Sequence, residues 1–140
     1  MLTTYDWHGN YGHPDHVKVH TVGHRAADLA GTPAVFEATM NRDEMVRWFE
    51  SHQMESDWDP RAPMDDGNPL GSPEAEINLR VDVSGYIAQK RASILSHASQ
   101  VTDTGQFSAM TDEAFAAAFS TEWFIERGAP PGLRDGFLLD

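Results

Sequence analysis

Tyr11-Gly12-His13-Pro14-Asp15-His16 is a polar turn that runs directly into PDHVKVHTVGHRAADLA (14–30) and then into PAVFEAT (33–39). This stretch decides the fold class. Pro14 suits the first helical position, where its missing N–H is no loss, and Gly31 suits a left-handed cap at the other end. At about 100° per residue Val19, Val22, Ala26, Leu29 and Ala30 share one side, which predicts a helix over 14–30 with that side toward the core. His16, His20 and His24 drift away from it, and only His16 stays near its edge. Residues 33–39, β-branched and aromatic in part, predict a strand of a parallel sheet entered from a crossover helix.

Upstream, residues 1–12 (MLTTYDWHGNYG) hold turn formers and aromatics without an aliphatic run, and predict a loop. Downstream, Asn41 and Glu44 at capping-box spacing, followed by Met45, Trp48, Phe49 and His52, predict an amphipathic helix over 42–54. Segment 56–75, with four prolines, two glycines and five acidic residues, predicts a long acidic surface loop or lid. EINLRVDV (76–83) alternates, so a strand should bury Ile77, Leu79, Val81 and Val83. Ser84 is the expected cap of a helix to about Gln100, with Ile87, Ile94 and Ala98 inward and Lys90 and His97 on a flank. A loop over 99–110, a short helix from Thr111 with Phe115 and Phe119, and a segment over 121–127 that is open between helix and strand, its aromatic and β-branched content favouring a short strand, complete the pattern. Gly128 and Pro130-Pro131 then leave a tail. Strands alternating with helices make the class α/β, in one domain.

A chain of 140 residues with 40% hydrophobic side chains can form a core. No run approaches the ~18 apolar residues of a bilayer span and the N-terminus lacks a signal pattern, so no membrane span and a cytoplasmic location are expected. Without cysteine there is no disulfide or thiolate zinc site, and a metal would rest on His, Asp and Glu. That fits a reducing compartment. A net charge of −12 disfavours nucleic acid and anionic membranes and suits a neutral or cationic small ligand or a divalent ion.

Two histidines three residues apart at a helix start can address one pocket, and Asp15 can orient or charge-stabilise a neighbouring imidazolium. The His16/His20 pair can also chelate zinc on a helix face. Spacing alone leaves solvated or capping histidines open beside a metal or acid/base site. Asn41 and Arg42, just past a strand end, lie where parallel sheets place ligands.

The stretch from Asn10 through Tyr11, Gly12, His13, Pro14, Asp15 and His16 to Val17, Val19 and His20 resembles the second signature of the zinc-dependent N-deacetylases of the LmbE/PIG-L type. Lys90-Arg91, His97-Ala98-Ser99-Gln100, Glu122-Trp123-Phe124 and Gly128-Ala129-Pro130-Pro131-Gly132 resemble that family's C-terminal half, in the same order. The resemblance implies the C-terminal portion of a Rossmann-like fold with a mostly parallel sheet. It implies His16 as a Zn(2+) ligand, His13 as the imidazolium that stabilises the oxyanion and helps protonate the leaving amine, and Asp15 as the group that holds His13 charged. Tyr11 resembles the family tyrosine that can swing toward the substrate carbonyl. Lys90 and His97 are placed near the site or in packing roles. His20 is expected to be supporting or structural, His8 and His24 solvated, and Trp7, Trp48, Trp58 and Trp123 core or lid residues.

The family's first signature, an A-H-P-D-D-E-like turn that supplies two further zinc ligands and an aspartate base, is absent from these residues. The resemblance therefore implies a single partial domain over 1–140 that is inactive or nearly so alone. Its strands near 34–39 and 76–83 are expected to lack partners and expose an apolar edge, inviting a complementary N-terminal half or a homo-oligomer. The expected activity is zinc-dependent hydrolysis of an N-acetyl group on a small amino-sugar-type substrate. The alternatives are a non-catalytic remnant or interaction module, and a metal buffer built on His16, His20 and His24.

Overall fold

In the computed structural model, which describes residues 1–51, 59–97 and 109–139, the chain opens with a strand, β1 (Leu2–Tyr5), where the sequence predicts a loop. Thr3, Thr4 and Tyr5 are good strand formers, and nonlocal pairing rather than an aliphatic run holds them. β1 lies parallel to β2 (Val35–Thr39), with Leu2 to Tyr5 opposite Val35 to Ala38. Between them α1 (Pro14–Ala30) is the predicted crossover helix, with proline in its first turn and Gly31 in the left-handed region at φ 61.

The packed face of α1 is not the predicted one. Val19, Val22 and Leu29 are 47%, 57% and 72% exposed, whereas His16, Val17, His20, Gly23 and His24 are half-buried and Ala27 is buried. Polar fastening explains the difference. The Thr4 hydroxyl donates to the Val19 carbonyl at 3.1 Å, and His20 Nδ1–H donates to the Tyr5 carbonyl at 3.0 Å. The imidazoles thus satisfy backbone carbonyls under the helix, a role that hydrophobic periodicity cannot register.

The sheet has the order β1-β2-β4-β3-β5, with β3 at Leu79–Asp82, β4 at Thr121–Glu126 and β5 at Arg134–Asp135. β4 is antiparallel to β2 and β5 parallel to β3, so the sheet is mixed rather than mostly parallel. β2 and β3 are interior strands, which corrects the expectation that 34–39 and 76–83 stand unpartnered. The edges are β1 and β5, the latter drawn from the predicted tail.

The described residues form two compact units, 1–80 with 123–140, and 81–122. The core of the first holds Ala27, Val35, Phe36, Leu70, Ile77, Leu79, Trp123 and Phe124. In it α2 (Arg42–Ser51) starts as predicted, the Asn41 side-chain carbonyl accepting the Glu44 N–H at 3.0 Å. The acidic segment is no free lid at its far end. Leu70, Gly71 and Ser72 are buried, the Gly71 N–H donates to the Asn10 carbonyl at 2.7 Å, and the Ser72 N–H to that of Met40 at 2.9 Å. In the second unit a 3₁₀ turn, Ser84–Tyr86, precedes α3 (Ile87–Leu95), so Tyr86 rather than Ser84 occupies the cap position. α4 (Asp112–Phe119) is capped by the Thr111 side chain, which accepts the Ala114 N–H at 3.2 Å, and buries Phe115. The predicted continuation of α2 with His52, Trp58, the α3 end from Ala98 to Gln100 and most of the 99–110 loop lie outside the described residues. Among the described residues no helix is long and apolar enough to cross a membrane.

One surface group gives a pH-dependent term. The Arg47 guanidinium and the Asn41 amide both donate to Glu74 Oε2, and Arg47 is the first cause holding that carboxyl below its ordinary value of 4.5. A carboxyl depressed by folding stabilises the protein above its unfolded pKa and loses that contribution as pH falls through the folded value. With Arg47 58% and Glu74 38% exposed, screening limits the pair to about 1 kcal/mol or less. Denaturation midpoints taken from pH 7 down to pH 3 should therefore fall less for Glu74→Gln than for the parent chain. Superimposable profiles would exclude the contribution.

Candidate functional site

The turn at residues 6–16 is built on Asp6, a fully buried carboxylate just past β1. Its Oδ1 accepts the Asn10 N–H at 2.8 Å and its Oδ2 the Thr39 hydroxyl at 2.6 Å. Asn10 itself has φ +66, and the Gly9 N–H, Tyr11 N–H and Gly12 N–H bond back to the carbonyls of Asp6, Gly9 and His8. The result is a tight reversal that delivers His13 to the start of α1. Gly9, at φ +67, lies so close to α1 that a Cβ would stand 2.4 Å from His16 Cβ.

His16 is clamped from three sides. Its ring stacks on Tyr5 at 4.1 Å with 5° between planes, meets Tyr11 edge-on at 5.0 Å, and lies 5.2 Å from His13, centroid to centroid. Nδ1 lies 3.3 Å from the Gly9 carbonyl, and because a carbonyl only accepts, the ring proton sits on Nδ1. Nε2 is left as a lone pair, the form in which an imidazole binds a metal.

His13 has the opposite arrangement. It is the N-cap of α1, and its Nδ1 accepts the Asp15 N–H at 3.2 Å. Nδ1 is therefore the lone pair and Nε2 carries the proton. Two neighbouring rings thus present different chemistry, a σ donor on His16 and an N–H on His13. The contact with Asp15 runs through its backbone amide, and the Asp15 side chain is exposed, so its expected grip on an imidazolium finds no counterpart in this geometry. Tyr11 is brought to both imidazoles.

The remaining expected residues do other things. Arg42 begins α2, and its N–H donates to the Ser72 carbonyl at 3.1 Å. Lys90 Nζ, in the second unit, donates to the Phe119 carbonyl and pairs with Glu122, both at 3.0 Å. His97 is exposed just beyond α3. Of the tryptophans, Trp123 is core, while Trp7 and Trp48 are largely exposed.

Two further residues, Asp6 and His8, hold the turn. Asp6 carries no distinctive sequence signal, since its role as acceptor for Asn10 and Thr39 depends on the folded backbone. His8, expected to be solvated, is 2% exposed; its Nε2–H donates to the Gly71 carbonyl at 3.1 Å and its Nδ1 lies 3.4 Å from Asp66 Oδ2. Burial opposes ionisation of Asp66, but bonds from the Asn68 backbone and side-chain amides, with His8 nearby, hold that carboxyl below its ordinary range. His24, also expected to be solvated, lies 2.8 Å from Glu37 Oε1. No short-range sequence signal reaches contacts of 63 residues' separation such as His8 to Gly71.

A catalytic zinc takes about three protein ligands and a water. His16 fits as one of them, but among the described residues no group of three converging donors includes it. The described residues therefore do not complete such a centre at the turn.

No family model matches the chain. Curated proteins do. The 1D-myo-inositol 2-acetamido-2-deoxy-alpha-D-glucopyranoside deacetylase of Geodermatophilus obscurus is 29% identical over 96% of this chain and 52% of its own length. Proteins of the same name from Streptomyces griseus and Kribbella flavida are 32% and 31% identical, over 97% and 100% of this chain but 46% and 52% of their own lengths. The chain spans about half the length of the curated relatives it matches. With identity near 30% along almost all of its residues, the turn included, the chain is similar to about half the length of these deacetylases, which are of the LmbE/PIG-L type.

Proposed function

We propose that this chain carries one side of an N-deacetylase site acting on an acetamido sugar, the substrate type named for its relatives. The observation that supports it best is the pairing of a lone pair on His16 Nε2 with an N–H on His13 Nε2, on rings 5.2 Å apart. Amide hydrolysis needs both kinds of group, one to hold a Lewis acid and one to donate to the oxyanion that forms on the carbonyl. In this reading His16 is one zinc ligand and the other ligands come from outside these residues. His13 donates from Nε2 as a neutral imidazole, its Nδ1 being occupied by the helix cap. Asp15 supplies that cap through its amide, and Tyr11 borders the space over both rings.

A chimera in which this chain replaces the matching segment of the Streptomyces griseus relative tests the reading. It is expected to release acetate from an N-acetylglucosaminyl inositol, with His13→Ala slowing turnover while zinc content holds. A folded chimera that binds zinc and releases no acetate would overturn it. A second reading, an interaction module, draws on the exposed Val19, Val22 and Leu29 along α1. It predicts self-association of the isolated chain in light scattering that Val22→Glu abolishes.

A further inference from the structure

Glu37 stands in the middle of β2, an interior strand, and its side chain is only 14% exposed. A carboxylate is disfavoured in such a strand and costly to bury without a partner. Its neighbours across the gap are His20 and His24, one turn apart on α1 with ring centroids 4.3 Å apart. The ligand atoms of His20, His24 and Glu37 all lie within 4.8 Å of one another.

The state of each ring favours a ligand role. His20 Nδ1–H is committed to the Tyr5 carbonyl at 3.0 Å, which fixes the ring and leaves Nε2 as a lone pair, as a backbone carbonyl does behind many metal-binding histidines. His24 Nε2 is buried and 2.8 Å from Glu37 Oε1, yet it makes no aligned hydrogen bond there or elsewhere. Two potential ligand atoms that converge at 2.8 Å without an aligned hydrogen bond are placed as two ligands of a common ion are.

We propose that His20, His24 and Glu37 form a binding site for a divalent transition metal, separate from the turn, that clips α1 to β2. Imidazole and carboxylate donors suit zinc, cobalt or nickel rather than magnesium or calcium, and three protein ligands leave a position for water. His16 takes no part. This separates the site from a buffer of His16, His20 and His24 and from the deacetylation reading above.

Zinc titration of the 140-residue chain by calorimetry, with thermal unfolding followed in parallel, tests the proposal. The expected result is one zinc per chain and a higher unfolding temperature with zinc. Both should persist in His16→Ala. His24→Ala and Glu37→Gln should each weaken binding at least 10-fold and remove the thermal shift. Glu37→Gln preserves shape, so it decides the matter if His24→Ala folds poorly. Absence of zinc binding, full binding in Glu37→Gln, or loss of binding in His16→Ala would each overturn the site.

Discussion

Gly71→Ala is expected to destabilise the chain by about 3 kcal/mol or more, read as a fall in the urea midpoint at unchanged slope. Gly71 has φ +57, and a Cβ there would lie 2.2 Å from the Met40 carbonyl oxygen and 2.9 Å from its carbon. Those are backbone atoms at the end of β2, and they cannot retreat without breaking the Ser72 N–H bond to the same carbonyl at 2.9 Å. The Gly71 N–H also holds Asn10, and its carbonyl receives His8, so displacement here is transmitted to the turn that carries His13 and His16. Gly31→Ala is the control. Gly31 has φ +61, with nothing within 4 Å of the added carbon, and should lose only about 1 kcal/mol, the strain of the left-handed conformation. Equal losses at the two positions would show that the contact with Met40 is not the cause.

The elements that the sequence discloses are those with local punctuation. Pro14 and Gly31 bound α1, Asn41 with Glu44 starts α2, Thr111 starts α4, and the β-branched and aromatic run at 121–126 marks β4. What stays hidden depends on partners far along the chain. β1 is a strand because Val35 to Ala38 lie beside it, and the tail becomes β5 because Leu79 and Arg80 do. The inward face of α1 is hidden for a different reason. Histidines count as polar in any periodicity, yet here the His20 and His16 rings meet the carbonyls of Tyr5 and Gly9 and the His24 ring lies against Glu37, so they pack where the periodicity predicts valines. The turn shows the same division: its residue types were legible, and the proton positions that distinguish His13 from His16 depend on the folded backbone.

Asp6→Ala is the second change expected to have a large effect, about 3 kcal/mol, because it strips two buried donors at once. Asn10 N–H and the Thr39 hydroxyl both point at this carboxylate, at 2.8 and 2.6 Å, in a place where Asp6 is fully buried and Thr39 is 7% exposed. The Thr39 oxygen also lies 3.0 Å from the Ser72 hydroxyl, so the loss extends into the 70–72 tie. Asp6→Asn keeps the shape and one acceptor and should cost about 1 kcal/mol, since the Thr39 hydroxyl can rotate toward Ser72. The difference between the two variants is the informative quantity. If the carboxylate organises the reversal from Asp6 to Asn10, hydrogen exchange of the Asn10, Tyr11 and Gly12 amides should accelerate in Asp6→Ala beyond what the global loss of stability explains, and remain slow in Asp6→Asn. Acceleration that merely follows the global stability in both variants would show that the turn is held by Gly71 and His8 instead.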